Sequence, residues 1–400
     1  MTTELAANRI ASARARYALE RDKRLRPDGN DQYLAVSGDL ARFATDPFTP
    51  RREREAVETD VDVVIVGGGF GGLLLGAQLQ KMGIDDVCIV DRAADFGGTW
   101  YWNRYPGVRC DVDAYIYLPL LEELGAMPSE KYATGAEILG HSRAIARQFG
   151  LERHALLQTE VSECRWDDSG RRWQVSTDRG DMLRARFVCL ATGPMSRPKL
   201  PGIDGIETFA GASFHTTRWD YSYTGGNADG GLVGLRGRRV GVIGTGASAV
   251  QCVPHLAEFA EDLFVFQRTP SSVDVRVDAP TDPRWVESLE PGWQRRRIEN
   301  FNNFFSGIYE EDDLVDDAWT DLTHIVLALS ADESTSLDGS VHTADTVVEA
   351  ADLAKMDQLR ARIDEFVTDP ATAAALKPYY RLFCKRPCFS NDYLETFNRS

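Results

Sequence analysis

Two stretches of this chain carry the same punctuation. DVDVVIVGGGFGGLLLGAQLQKMG, beginning at Asp60, passes from a β-branched run through glycines into an apolar-periodic segment, and RRVGVIGTGASAVQCVPHLA, beginning at Arg238, repeats the pattern. Each predicts strand, tight turn and helix. The glycines fall at Gly67-x-Gly69-x-x-Gly72 and at Gly244-x-Gly246-x-x-Ala249. Glycine at these places allows a tight turn and close approach of a pyrophosphate, and the helix start behind supplies unpaired N–H groups. A lone pattern of this kind is weak, since glycines at turns are common; two with matched spacing in one chain restrict the fold to tandem doubly wound units.

The end of each following strand separates the two. Asp91 closes VCIVD and Arg268 closes DLFVFQR, both at the same offset from the first glycine but with opposite charge. An acid there can accept from both ribose hydroxyls, whereas an arginine suits a 2′-phosphate. The first unit therefore reads as binding FAD or NAD and the second as binding NADPH, which together suggest electron flow from NADPH to a flavin.

The 400 residues exceed one ordinary core. Residues 1–57 read as a polar arm on the first domain, 58–205 as the first part of an FAD domain and 206–380 as an NADPH domain. About 280–378 of the latter form a helical insertion, and 381–400 return to the FAD domain. The connector PMSRPKLPGIDG, from Pro194, marks the first boundary. The expected class is α/β, with two Rossmann-like domains, the second inserted in the first, and with the C-terminal part of the FAD domain missing after Ser400. On that expectation the 400 residues alone bind FAD weakly.

A net charge of −16 excludes nucleic acid and anionic membrane as partners, since both require a basic face. No apolar run reaches membrane-spanning length. The arm contains Glu4, Glu20 and Asp22 and lacks the apolar centre of a signal peptide. Seven scattered cysteines, with no metal-ligand spacing, fit a reduced cytoplasmic protein; the chain is expected to be monomeric or weakly homo-oligomeric. The acidic runs EEDDLVDD and SADEST read as solvated faces or loops.

Three further stretches carry a family resemblance. FAGASFHTTRWD resembles the FxGxxxHxxxW pattern of the type I Baeyer–Villiger monooxygenases, at Phe209, Gly211, His215 and Trp219, with Asp220 where many members have proline. GGTWYWNRYPGVRCD resembles that family's GxWxxxxYPGxxxD, at Gly98, Trp100, Tyr105 and Asp111, and Lys385-Arg386-Pro387 is similar to a third motif. The resemblance implies FAD and NADPH as cofactors and a ketone and O2 as substrates, with one oxygen inserted beside the carbonyl by way of a flavin C4a-peroxide to give an ester or lactone. By the same resemblance Arg386 is the catalytic cation, which suits an arginine because it keeps its charge, and Asp111 is its partner. Flavin contacts fall to Phe70, Arg92, Gly98, Thr99, Trp100, Tyr105, Asp111 and Tyr117, beside Gly67, Gly69, Gly72 and Asp91. NADPH contacts fall to Gly244, Thr245, Gly246, Ala247, Ser248, Arg268, Thr269, Lys385 and Arg386. His215 and Trp219 lie on the interdomain connection, either coupling NADPH position to oxygenation or serving only as a packed, hydrogen-bonded link. The arm resembles the subgroup accepting bulky cyclic ketones, among them actinobacterial enzymes that form the lactone of pentalenolactone-type sesquiterpenoids in antibiotic biosynthesis. The rival readings are a flavin monooxygenase acting on nitrogen or sulfur and a non-catalytic nucleotide-binding redox sensor. A disulfide reductase is disfavoured, because only Cys110 follows the first glycine helix.

Overall fold

The computed structural model describes residues 3–194, 197–308, 310–331 and 344–399. Most of the SADEST run lies outside the described residues. The arm opens with helix α1 (Thr3–Asp22). The first glycine turn joins strand β1 (Glu58–Val66) to helix α2 (Phe70–Lys81), and strand β2 (Val87–Val90) follows. Beyond helix α3 (Gly135–Gln148) come β3 (Ala155–Leu156), β4 (Val161–Asp167), β5 (Arg172–Thr177) and β6 (Met182–Leu190). They form one sheet in the order β3-β2-β1-β6-β5-β4. Its first four strands are parallel and the last two run antiparallel as a meander. Val64, Ile65 and Ile89 are fully buried, as expected where helices cover a parallel sheet.

The second unit is smaller. Strands β7 (Arg239–Ile243) and β8 (Asp262–Phe266) pair in parallel around helix α4 (Ala247–Phe259). The expected helical insertion is present as α5 (Trp293–Phe305), α6 (Asp321–Ala331), α7 (Ala344–Phe366) and α8 (Pro370–Leu376), preceded by one short helix, Pro283–Glu287. One apolar cluster joins both units: Trp100, Trp102, Tyr105 and Leu118 pack with Trp219, Leu235, Cys252 and Leu256.

Three placements differ from the sequence expectation. The arm bridges the two domains. Its helix lies on α7, where Arg14 donates to Glu349 at 2.7 Å and Arg9 pairs with Asp357. Its middle pairs Tyr33–Ala35 with Lys199–Pro201 at the end of the first domain, and its last part grips that domain, where Arg54 donates to both oxygens of buried Asp181 at 2.6 Å. Acidic α7 offers carboxylates to an Arg-rich helix.

The segment expected to return to the first domain packs on the second. Cys388–Phe389 pair in parallel with Val273–Asp274, while Tyr393 and Leu394 join Val250 and Val253 in a common core. Its apolar residues find an apolar face there, and Arg386 reaches back to the first domain.

The run EEDDLVDD is partly internal, because Asp317 is buried and accepts from the Tyr132 hydroxyl at 2.9 Å.

Candidate active site: a flavin groove and an ion pair between domains

A groove of about 350 Å³ opens at the end of the first sheet. It is lined by Gly67, Gly69, Phe70, Asp91, Arg92, Gly98, Thr99, Trp100 and Tyr117, all foreseen, and by Gly97, Trp102, Thr159 and Ala191-Thr192-Gly193. Gly69 caps α2, so the helix's free N–H groups face the groove. Close packing fixes the glycines. Gly98 has φ +52°, and a Cβ there would stand 2.7 Å from Cα of Gly69. Gly72 serves a different purpose from contact with a ligand, since any side chain there would strike the Gly67 carbonyl across the helix–strand contact. Asp91 accepts from the Gly68 N–H at 2.5 Å and the Ala93 N–H at 2.6 Å, and burial raises its pKa.

Aromatic rings wall the groove. Trp100 Nε1 donates to the Tyr117 hydroxyl at 3.1 Å, their rings meeting edge to face. Burial, with Cys110 and Asp111 nearby, pushes Tyr117 up to about 12, so it remains a neutral donor. Behind Trp102 sits a residue that sequence reasoning missed: the buried Arg218 guanidinium lies 3.5 Å from the Trp102 ring centroid. Burial, reinforced by Arg92, lowers Arg218 to about 10, still cationic at neutral pH.

Tyr105 and Asp111, expected at the flavin, line a different surface. Tyr105 is buried against α4, where its hydroxyl donates to Gln251 Oε1 at 2.9 Å. Gly107, with φ +77°, brings the backbone so close to Gln251 and His255 that a Cβ would meet the Gln251 carbonyl at 2.7 Å. The YPG turn thus docks the two domains together and delivers Asp111 to their junction.

There Asp111 meets Arg386, 275 positions later in the chain. Arg386 Nε donates to Oδ2 at 3.1 Å and Nη2 donates to Oδ1, a bidentate pair. Asp111 is buried, whereas the Arg386 side chain is 54% exposed, so one face of the cation remains available. Burial pulls its pKa down, but the Asp111 hydrogen bond and the attraction of the Asp111 charge together offset this, and the value stands above that of an ordinary arginine. Trp319, from the helical insertion, donates from Nε1 to the Asp111 carbonyl at 2.6 Å, and its ring lies 5.4 Å from the Arg386 guanidinium. No sequence signal singled it out, because it follows an acidic run.

The fingerprint residues make local structure. His215 Nδ1 accepts from the Thr217 N–H at 3.2 Å, and burial, with Arg218 adding to it, lowers its pKa to about 4. Trp219 is buried and donates to Thr224 Oγ1 at 3.1 Å. Asp220 caps the short helix Tyr221–Thr224. Phe209 is exposed, and its ring lies where a Gly211 side chain would project.

At the second glycine turn, Cβ atoms added to Gly244 or Gly246 would meet nothing within 4 Å, so the turn faces open space. Gly246 caps α4, which begins at Ala247 and continues through Ser248. Thr245 Oγ1 donates to the Thr269 carbonyl at 3.3 Å, which ties the turn to the residue after Arg268. Arg268 donates to Gln32 and Tyr33 of the arm, and Lys385 to the carbonyls of Thr269 and Pro270. Among the described residues one group offers three possible metal ligands, Asp313, Asp316 and His324, and Asp313 is already engaged by the N–H groups of Val315 and Asp316. All seven cysteines are free.

Two nucleotide folds joined across an aromatic junction define the class, and comparison with known proteins agrees. The chain belongs to the pyridine nucleotide-disulphide oxidoreductase family, whose model matches residues 64–321. It is 56% identical over 391 residues to pentalenolactone D synthase of Streptomyces arenae, covering 98% of this chain and 66% of that protein. A Baeyer–Villiger monooxygenase of Streptomyces coelicolor is 50% identical, with 99% of this chain and 66% of that protein covered. Among solved structures, the polycyclic ketone monooxygenase of Thermothelomyces thermophila superimposes with a TM-score of 0.89 at 40% identity, over 98% of this chain and 66% of that one. The chain thus spans 66% of the length of these relatives. No disulfide joins any of the seven cysteines, and burial drives the Cys110 thiol pKa upward.

The groove fits FAD: a glycine cradle that a Cβ would fill, a helix start for pyrophosphate, a strand-end acid for ribose and aromatic walls. The second turn, with Arg268 and Lys385 beyond it, fits NADPH.

Proposed function

We propose that this protein is an FAD- and NADPH-dependent Baeyer–Villiger monooxygenase that inserts one oxygen from O2 beside a ketone carbonyl to give an ester or lactone. The observation that carries this reading is the Asp111–Arg386 pair, with its half-exposed guanidinium at the domain junction. When bound, FAD supplies oxygen activation and NADPH the reducing equivalents. Arg386 holds a permanent positive charge against the anion that develops on the reacting oxygens, and such a preorganised cation favours the transition state over the neutral ketone. Asp111 fixes the guanidinium plane and offsets the cost of keeping the cation partly buried. Trp319 holds Asp111 by its carbonyl, and Tyr117 and Trp100 keep water from one side of the groove. His215 and Trp219 transmit the position of the second domain to this junction.

The substrate is a bulky cyclic or terpenoid ketone. Similarity to pentalenolactone D synthase supports 1-deoxy-11-oxopentalenate, giving pentalenolactone D in antibiotic biosynthesis. The protein works in the cytoplasm as a monomer or weak homo-oligomer, without nucleic acid or membrane; no helix among the described residues is long and apolar enough to cross a membrane. The test is product analysis of the chain with FAD, NADPH, O2 and a panel of cyclic ketones, nitrogen compounds and sulfides. Lactones heavier by one oxygen are expected; only N- or S-oxides would overturn the reading.

A further inference from the structure

Three cations from three distant segments converge beyond the second glycine turn. Lys385 Nζ lies 5.1 Å from the centroid of the Tyr380 ring, and the Arg24 guanidinium lies 5.4 Å from the same centroid. Among the described residues Lys385 donates only to Thr269 and to the Pro270 carbonyl, at 2.8 Å for the latter. Arg268 donates to the Gln32 amide oxygen at 2.6 Å and the Tyr33 hydroxyl at 3.1 Å. Nη1 of Arg24 is buried and has no hydrogen-bond partner among the described residues. Among the described residues none of these three cations has a carboxylate partner, although the chain carries a net charge of −16. Burial, then Arg24, and more weakly Arg268 lower the Lys385 pKa to about 8, and no carboxylate opposes them. A fold with so many acids leaves three neighbouring cations unpaired at a cost in repulsion, and a bound dianion would offset it.

Arg24 belongs to the arm, which is held in place independently of any ligand. Helix α1 is clamped to α7 through Arg14 and Glu349, and Tyr33–Ala35 are fixed by pairing with Lys199–Pro201. Arg24, Gln32 and Tyr33 therefore stand on a braced segment that overhangs Arg268 and Lys385.

We propose that the N-terminal arm completes the 2′-phosphate site of NADPH. Arg24 is its third cation beside Arg268 and Lys385, and Gln32 and Tyr33 hold the Arg268 guanidinium in place until the phosphate takes it. The arm is then a specificity element that distinguishes NADPH from NADH. This rests on the reading of the second domain as the NADPH domain.

The test is isothermal titration calorimetry of the whole chain with NADP+, NAD+ and 2′,5′-ADP, comparing wild type, Arg24→Gln, Arg24→Lys and Arg268→Ala. Loss of one charge-assisted contact predicts that Arg24→Gln binds NADP+ and 2′,5′-ADP on the order of 10-fold more weakly. NAD+ affinity and thermal midpoint should be unchanged, and Arg24→Lys should recover part of the loss. If Arg268→Ala loses the NADP+ preference and Arg24→Gln does not, the arm has no part in recognition and the inference is overturned. Equal losses for NADP+ and NAD+ in Arg24→Gln would overturn it as well, showing a merely structural contact. A wild-type chain with no preference for NADP+ over NAD+ would remove the reading of the second domain itself.

Discussion

Replacing Asp111 by asparagine keeps the side-chain volume and one acceptor oxygen but turns the other oxygen into an N–H donor. Arg386 offers only donors, so one of its two contacts becomes donor against donor. Hydrogen bonds to charged groups contribute about 1.5–3 kcal/mol, but more than half of the Arg386 side chain is in solvent, where screening reduces ion pairs sharply. The expected stability loss is therefore about 1 kcal/mol, read as a small fall in the urea midpoint at unchanged slope. The rate loss should be far larger. A guanidinium no longer held in plane forfeits its orientation toward the developing charge, and removal of one such group costs on the order of 10²–10³ in rate. Lactone formation with a cyclic ketone, followed by gas chromatography beside NADPH oxidation, should show oxygenation falling while NADPH consumption continues. Arg386→Ala should be at least as slow, and the double variant no slower than Arg386→Ala alone, because Asp111 acts only through Arg386. Additive losses in the double variant would refute this positioning role. So would lactone formation at the wild-type rate in Arg386→Ala.

Gly98→Ala places a Cβ 2.7 Å from the Gly69 backbone at a φ of +52°; left-handed backbone costs about 1–2 kcal/mol outside glycine, and the cradle must spread to admit the methyl. FAD affinity by fluorescence titration should fall by at least 10-fold with NADP+ affinity unchanged, and an unchanged FAD affinity would show that the cradle does not hold the flavin. His215 titrates near 4 in the folded state against 6.5 unfolded. Because the unfolded chain takes the proton first, this neutral histidine's contribution is intact above pH 6.5 and erodes as pH falls toward 4, by about 1–3 kcal/mol in all. Urea midpoints measured across that window should fall less steeply in His215→Gln than in wild type, and parallel curves would place the titration elsewhere.

What could be read from the chain was what the backbone itself demands. Gly67, Gly72 and Gly98 are each required by a close approach or a positive φ, so their spacing carries geometry directly. Asp91 and Arg268 follow from the same strand-to-turn metric, and both stand at the ends of their strands. The pairing of Asp111 with Arg386 was legible only by resemblance, since nothing local links residues 275 apart. Tyr105 was misplaced because an aromatic beside the groove motif can turn either way, and only the packed α4 decides that it faces Gln251. Trp319, Arg218 and Arg24 carried no signal. Each is an ordinary residue type whose significance comes from what tertiary packing sets against it: a carbonyl, an indole face, a second cation. The destinations of the arm and of the last segment were hidden for the same reason, because a charged helix and a short apolar run fit several surfaces and the acids of α7 and the face of α4 make the choice.

The two glycine turns share a spacing but are not under the same constraint. In the first, the third glycine has no alternative, because the helix crosses directly over the Gly67 carbonyl. In the second, Ala249 fills that place and is buried without conflict, and the two leading glycines look onto open space. A looser turn approaches a pyrophosphate less intimately and cannot by itself distinguish one nicotinamide nucleotide from another. On the proposed NADPH reading, discrimination comes from charge placed beyond the turn. Arg268, Lys385 and Arg24 stand there, drawn from the second domain, the last segment and the arm. Two of the three are braced by chain lying outside the nucleotide fold, so on the proposed reading selectivity at this site depends on how the domain is wrapped rather than on the motif that announces it.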